Sequence, residues 1–475
     1  MLKKIIIFLI LLFEVYLFIT KRYPDYYDKD FLWLIIILNI VSLLSFAFLD
    51  RDKNINLKNN KVKFTVLFLI GFLIVSFQPF VDLALGYLEP SNHYLFIRSG
   101  IILKTLLCAS IALNSYLFGT SLFKAKKVII QQEKPLRRII NIRTLKVINV
   151  LSFFFFLSQI NSSFLDANTY GSGRKTSFLL GYSMLLFETS FIALILIMII
   201  NNGKKSNFFN YLKQYGYSLI FFVLYLIIIL FSGDRGPIIY LSLALFFGYI
   251  YLNNVSISSS KLISVIIIGS MLMTILGMIR RTGVTLDSAI NSKIENNYYP
   301  DSFFPMTKEL ATSVLTISTA VNKVPSRYDH FYGLFMFQNF SVIIPGLNSF
   351  LNSRLGIDTN FFSSSVFLTY LSLGSNAKWG VGTSAIADVY LDFGILGVIV
   401  IFIIFGYLTK KTEAYVLGYN STNFLLVAIY LLFFSFSIYI ARSNIVVPLT
   451  KLTYVLFFYV LTLASNKKII KKWIN

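Results

Sequence analysis

Long apolar runs separated by short charged loops fill most of the chain. A run of roughly 20 apolar residues can cross a bilayer as a helix, and a helix that is apolar all round belongs in lipid or in a large core. Twelve runs qualify, near residues 4–20, 31–49, 64–85, 98–119, 147–164, 178–200, 216–232, 237–252, 262–279, 384–408, 421–441 and 446–464. The seventh and eighth are short and joined only by Ser232-Gly-Asp-Arg-Gly-Pro237, which predicts a tight hairpin with its tip at a membrane surface.

The pattern breaks once, between the ninth and tenth runs. This polar stretch of about 100 residues still carries apolar runs such as Phe331-Tyr-Gly-Leu-Phe-Met-Phe and Phe340-Ser-Val-Ile-Ile-Pro-Gly, and a helix-like Glu309-Leu-Ala-Thr-Ser-Val-Leu-Thr-Ile. A structureless loop of that length is unusual, so short helices lying on or dipping into the bundle are predicted. The organisation expected is a membrane domain over 1–279, a large loop over 280–383, and a second membrane part over 384–475 ending in a basic tail. No internal repeat is evident, which weighs against transporter folds built from two matched halves.

Composition changes the picture by naming the solvent. Of 475 residues, 56% are hydrophobic and 13% charged, whereas soluble proteins carry about 25% charged residues. The net charge of +22 raises nucleic acid as a partner, but the charges lie in loops between apolar runs, where the positive-inside rule accounts for them. With the N-terminus inside and the helices alternating, the inside loops hold 25 Lys and Arg and the short outside loops 8. That asymmetry predicts an all-α polytopic integral membrane protein of about 12 transmembrane helices. Both termini are then cytoplasmic, and the large loop between helices 9 and 10 is external. The opening Met1-Leu-Lys-Lys and its apolar run lack a small-residue cleavage site and end in Lys21-Arg-Tyr-Pro24, so a retained first helix is expected.

Candidate chemistry is sparse. One cysteine, Cys108, and two histidines, His93 and His330, do not make a Cys/His metal site of the usual spacing. No phosphate-binding or dinucleotide loop is present, and no metal or other cofactor is expected. On the outer side several helix ends carry Arg: Arg98, Arg235, Arg280, Arg281 and Arg442. Their guanidinium forks match phosphate geometry and stay charged, so as a set they point to an anionic ligand. Arg235 is the sharpest case, because it stands where a turn hands over to a helix start with free backbone donors. The alternative is an Asp234–Arg235 pair or a helix cap. Arg174, in Gly171-Ser-Gly-Arg-Lys, reads as a solvated charge that could also reach a substrate.

Asp388 and Asp392 lie at i and i+4 on one face of the tenth helix. Their like charges repel unless an Arg lies between them or one is protonated, and a simple preference for acids in a first helical turn also explains them. His330 is a candidate general base. Glu14, Asp82, Lys104, Glu188 and Lys451 interrupt apolar runs and are candidate intramembrane partners.

Three stretches carry a resemblance: Ser232-Gly-Asp-Arg-Gly-Pro237, Ile343-Ile-Pro-Gly346, and Gly380-Val-Gly-Thr-Ser-Ala-Ile-Ala-Asp-Val-Tyr-Leu-Asp-Phe-Gly-Ile-Leu-Gly397. With a dozen helices and one late outer loop, the chain resembles the bacterial O-antigen and capsular polysaccharide polymerase (Wzy) family. It departs at Asp388 and Asp392, where that pattern often has Glu and Asn. The resemblance implies a GT-C-like membrane glycosyltransferase that works without a metal in the bacterial cytoplasmic membrane. It would transfer a growing glycan from undecaprenyl pyrophosphate to the non-reducing end of an incoming lipid-linked repeat unit. The partners implied are that lipid-linked oligosaccharide, the bilayer, a flippase and a chain-length regulator, with no nucleic acid. On this reading Arg235, Arg280, Arg281 and Arg442 hold pyrophosphate, and Asp388 or His330 assists the acceptor. Arg98, Arg174, Arg327 and Arg354 make secondary substrate contacts. An O-antigen ligase-like transferase and a lipid-linked oligosaccharide flippase or transporter are the alternatives.

Overall fold

The computed structural model describes residues 2–21, 27–49, 62–92, 95–123, 142–161, 164, 178–201, 207–253, 255, 269, 302–344, 346–377, 380–418 and 423–464. The predicted ninth helix, apart from Gly269, and Arg174, Arg280 and Arg281 lie outside them. Among the described residues there is no strand. The helices are α1 (Leu2–Thr20), α2 (Lys29–Leu49), α3 (Phe64–Leu85), α4 (Ile102–Leu122), α5 (Ile142–Gln159), α6 (Phe178–Ile200), α7 (Tyr217–Phe231) and α8 (Gly236–Asn253). They continue with α9 (Val314–Lys323), α10 (Leu334–Ser341), α11 (Leu347–Leu355), α12 (Ser364–Leu373), α13 (Ala385–Glu413), α14 (Phe424–Phe436) and α15 (Leu452–Ala464). Seven described helices are long and apolar enough to cross a membrane: Lys29–Phe48, Phe64–Leu85, Ser99–Leu122, Ile142–Gln159, Leu179–Ile200, Gly236–Asn253 and Ala385–Leu417.

The described helices overlap the apolar runs, although α5 begins and ends five residues before the predicted 147–164, and three further differences are informative. α13 runs past the predicted 408 to Glu413 and on into a turn over Ala414–Gly418, and buried Lys410 and Glu413 pair at 3.3 Å along the way. The predicted 421–441 helix stops at Phe436 and is followed by a tight turn over Ile440–Arg442. The predicted 446–464 helix is broken: Val447–Thr450 forms one short turn, and Lys451 occupies the break before α15.

Two helix groups make up the bundle. α4 packs along α13, and α1 and α2 pack on α4. Gly119 faces the Ile403 carbonyl and Gly406 faces that of Tyr116, so close that a side chain at either position would collide with backbone. Small residues of this kind let membrane helices approach where no hydrophobic drive separates them from lipid. In the second group α5 packs on α6, and α6 on α8 and α15, while α8 packs on α14. The Ile440–Arg442 turn lies against α3 and joins the groups. At this junction a Cβ on Gly71 would stand 2.6 Å from the Ile438 carbonyl.

The charges that interrupt the apolar runs find partners, as polar groups removed from water must. Lys451 donates to Glu188 and, at 3.1 Å, to the Tyr240 hydroxyl, and Tyr225 donates to Glu188 at 2.6 Å. Asn114 links Glu14 (2.8 Å) to Asn39 (3.3 Å). Lys104 lies over the Phe18 ring at 5.4 Å. Asp82, near the end of α3, accepts from the Ser302 hydroxyl at 2.7 Å and the Phe303 N–H at 2.9 Å.

That last contact begins the docking of the large loop. Gln78 adds bonds to Ser302 and Thr307, and α9 is buried from Val314 to Val321 against α4, α12 and α13. The described residues between 302 and 383 are therefore folded onto one end of the bundle, where α3 ends and α4 and α13 begin.

Candidate functional site at the start of α13

Ser384 caps α13 by accepting the Ala387 N–H at 3.2 Å, and Thr316 of α9 donates to the same hydroxyl at 2.9 Å. The first turns of α13 are thus buried under the loop. Asp388 is 2% exposed and Asp392 fully buried.

The two carboxylates, adjacent in sequence pattern, have separate surroundings. At Gly394 the helix leaves helical geometry (φ 62, ψ −158), a combination open in practice only to glycine. The Leu391 and Asp392 carbonyls, just before this kink, accept from the N–H groups of Phe331 (3.1 Å) and Tyr332 (2.9 Å). The Asp392 carboxylate accepts from the N–H groups of Phe335 (3.1 Å) and Met336 (2.7 Å), which caps the start of α10. Its donors are all backbone, and its work is to hold the loop to the kink.

Asp388 instead meets side chains. Ser364, at the start of α12, donates to its Oδ1 at 2.5 Å. The Asn339 amide of α10 reaches Oδ1 at 3.1 Å and Oδ2 at 3.0 Å. Asn339 in turn accepts from Asn444 at 3.2 Å. A hydrogen-bonded chain therefore runs from Asp388 through Asn339 to Asn444, two residues beyond Arg442.

The turn at Arg235 closes on the same region. Asp234 accepts the Gly236 N–H at 3.0 Å, and a Cβ on Gly236 would stand 3.8 Å from the Tyr439 ring. Tyr439 is within electrostatic reach of both Asp234 and Arg442. Arg235 Nη1 pairs with Glu309 at 2.9 Å, while Nη2 is buried with no hydrogen-bond partner among the described residues. Arg235 is thus only half satisfied, by a carboxylate from the large loop.

The remaining predicted residues scatter. His330 packs beside the kink: a Cβ on Gly394 would stand 2.9 Å from its Nε2, and its ring meets Tyr390 edge-on at 5.8 Å. Its Nδ1 is buried with no partner among the described residues. Arg98, Arg327 and Arg354 are exposed, the last two over the rings of Tyr328 (5.7 Å) and Phe350 (5.5 Å). Asn339, Ser364 and Glu309 are members of the site that the sequence reading did not pick out. The signal for Asn339 was a pair of amides, Gln338-Asn339, set inside an apolar run. Among the described residues no three His, Cys, Asp or Glu side chains gather as a metal site would require.

A bundle of long apolar helices with a folded loop on one end is the build of a polytopic membrane protein. The family model for O-antigen polysaccharide polymerase Wzy matches residues 1–473, and the chain belongs to that family. It is accordingly a multi-pass protein of the bacterial inner membrane, with the glycosyltransferase-like polymerase activity of that family on lipid-linked oligosaccharide. No curated protein and no solved structure matches the chain.

Proposed function

We propose that the protein transfers a growing glycan from undecaprenyl pyrophosphate to the non-reducing end of an incoming lipid-linked repeat unit. The reaction takes place on the outer face of the membrane, without a metal, and the loop-bearing end of the bundle is that face. An acceptor hydroxyl attacks the anomeric carbon of the growing chain, the bond to pyrophosphate breaks, and the hydroxyl proton leaves to a base. The barrier lies in charge building on the departing pyrophosphate, which fixed guanidinium groups in a water-poor site stabilise. Arg235 and Arg442 supply that charge here, with Arg280 and Arg281 as further donors and Arg98, Arg174 and Arg327 as outlying contacts. Asp388 takes the proton; His330 is the second candidate. Because Asp388 is covered by Asn339 and Ser364, the acceptor reaches it by displacing one of them. A flippase delivers the units, and a chain-length regulator acts with the polymerase.

The observation that carries this reading is the chain Asp388–Asn339–Asn444, which ends beside Arg442 while the Arg235 turn touches Tyr439. Both the chain and the turn therefore reach the Tyr439–Asn444 segment, which carries Arg442. Arg235→Ala and Arg442→Ala, made singly in cells, are expected to leave single repeat units in place of long polysaccharide on a gel. Normal long chains from both variants would refute the reading.

A further inference from the structure

The helices α10 and α11 carry a surface that the transfer reaction does not use. On α10 one stripe, Phe335, Gln338 and Ser341, is buried, and the other, Phe337 and Phe340, is exposed. Phe337 and Phe340 are i, i+3 neighbours and face away from Phe335 and Gln338. Ile344, Phe350 and Leu355 extend the exposed apolar side through the connection and along α11. Gln338 ties the two helices by donating to Asn352 at 3.5 Å, and Ser341 donates to Asn348 at 3.0 Å. The exposed residues therefore belong to one hairpin.

Two observations identify what covers that face. The first is continuity with the lipid-facing wall of the bundle. Thr453 of α15 donates to the Ile343 carbonyl at 2.7 Å, and Phe457 and Val460 stand exposed on the next turns of α15. On the other flank, Asp392 of α13 caps α10, and Phe393 and Leu396 of α13 are exposed. The second is charge. Residues 331–357 hold no acidic side chain and one basic one, Arg354, whose guanidinium lies 5.5 Å from the Phe350 ring centre. An arginine beside an aromatic, on a face whose other exposed side chains are apolar or the small hydroxyls of Ser349 and Ser353, suits the boundary where acyl chains meet phosphate headgroups.

We propose that the α10–α11 hairpin is a lipid-inserted element, with Phe337, Phe340, Ile344, Phe350 and Leu355 in the acyl region of the adjacent leaflet and Arg354 at its headgroups. Arg354 then serves phospholipid rather than the glycan donor. The proposal does not depend on which reaction the site performs.

The test is spin-label accessibility in the full chain, reconstituted in phosphatidylethanolamine–phosphatidylglycerol vesicles. The only native cysteine, Cys108, is buried, so a Cys108→Ser background, or the native thiol left in place, allows single labels at Phe340→Cys, Phe350→Cys and Val460→Cys. Asp358→Cys, on an exposed polar turn, is the aqueous reference. At 340 and 350 the ratio of collisions with oxygen to collisions with a water-soluble nickel chelate should be severalfold above that at 358 and match 460. A ratio at 340 and 350 equal to that at 358 would overturn the proposal, because the hairpin would stand in water. Exclusion of both reagents would overturn it too, because protein would then cover the face.

Discussion

The amide nitrogen of Asn339 stands 3.1 Å and 3.0 Å from the two carboxylate oxygens of Asp388. One side chain from the large loop thus straddles the carboxylate proposed to act on the acceptor, and the two should fail differently. Asp388→Asn keeps the shape but removes the base, and should lower the elongation rate by roughly a hundredfold or more. Asn339→Ala keeps the base but releases its orientation, and should cost about tenfold. Elongation of lipid-linked repeat units by purified protein measures both. A wild-type rate for Asp388→Asn would make that residue structural.

Arg235 is shared between Glu309 and its proposed ligand. Loss of a charge-assisted hydrogen bond costs about 1.5–3 kcal/mol, so Arg235→Ala should reduce kcat/KM by roughly ten- to a hundredfold. Glu309→Gln removes the competing carboxylate, and the apparent KM for the pyrophosphate-linked donor should fall. A raised KM would mean that Glu309 aims Arg235 rather than competing for it.

Gly394 holds a backbone conformation that costs other residues of order 1–3 kcal/mol, and its missing Cβ leaves room for the His330 ring. Gly394→Ala should lower the melting temperature in detergent. His330→Ala in the same chain should restore part of the loss, since it removes the clash but not the backbone strain. Strict additivity of the two changes would show that the ring and the kink are not in contact in the working protein.

Glu188 and Lys451 form a buried pair, with side chains 4% and 12% exposed. Removing one member of such a pair typically costs about 3–5 kcal/mol, whereas an apolar replacement of both is often tolerated. Lys451→Met alone should therefore destabilise the protein severely, and Glu188→Leu with Lys451→Met should recover most of the stability. Thermal unfolding followed by loss of soluble monomer in detergent distinguishes them.

The helices were legible because lipid imposes one rule on every spanning segment: long, apolar and internally hydrogen-bonded. Where charges lie inside a helix the reading slips, as at Lys410 and Glu413, which are paired and buried on α13 beyond its apolar run. Of the site, Arg235, Arg442 and Asp388 stood out as charges against an apolar background. Asn339 and Ser364 did not. Neither is charged, and each owes its place to a loop that folds back across the bundle. Asp392 was read only as sharing a helix face with Asp388, where i, i+4 spacing puts both. The kink at Gly394, which gives it backbone donors instead, depends on contacts from residues some 60 positions away.

Asp392 secures one end of α10 to α13, and the Thr453–Ile343 bond secures the other end of that segment to α15. Asn339 is mounted between these two attachments. The span from one attachment to the other acts as a gauge of how far apart the two helices stand. A bilayer that thins or thickens is expected to alter that span, and with it the position of the amide over Asp388. Elongation should then vary with acyl-chain length even when the lipid headgroups and the glycan substrate are held constant.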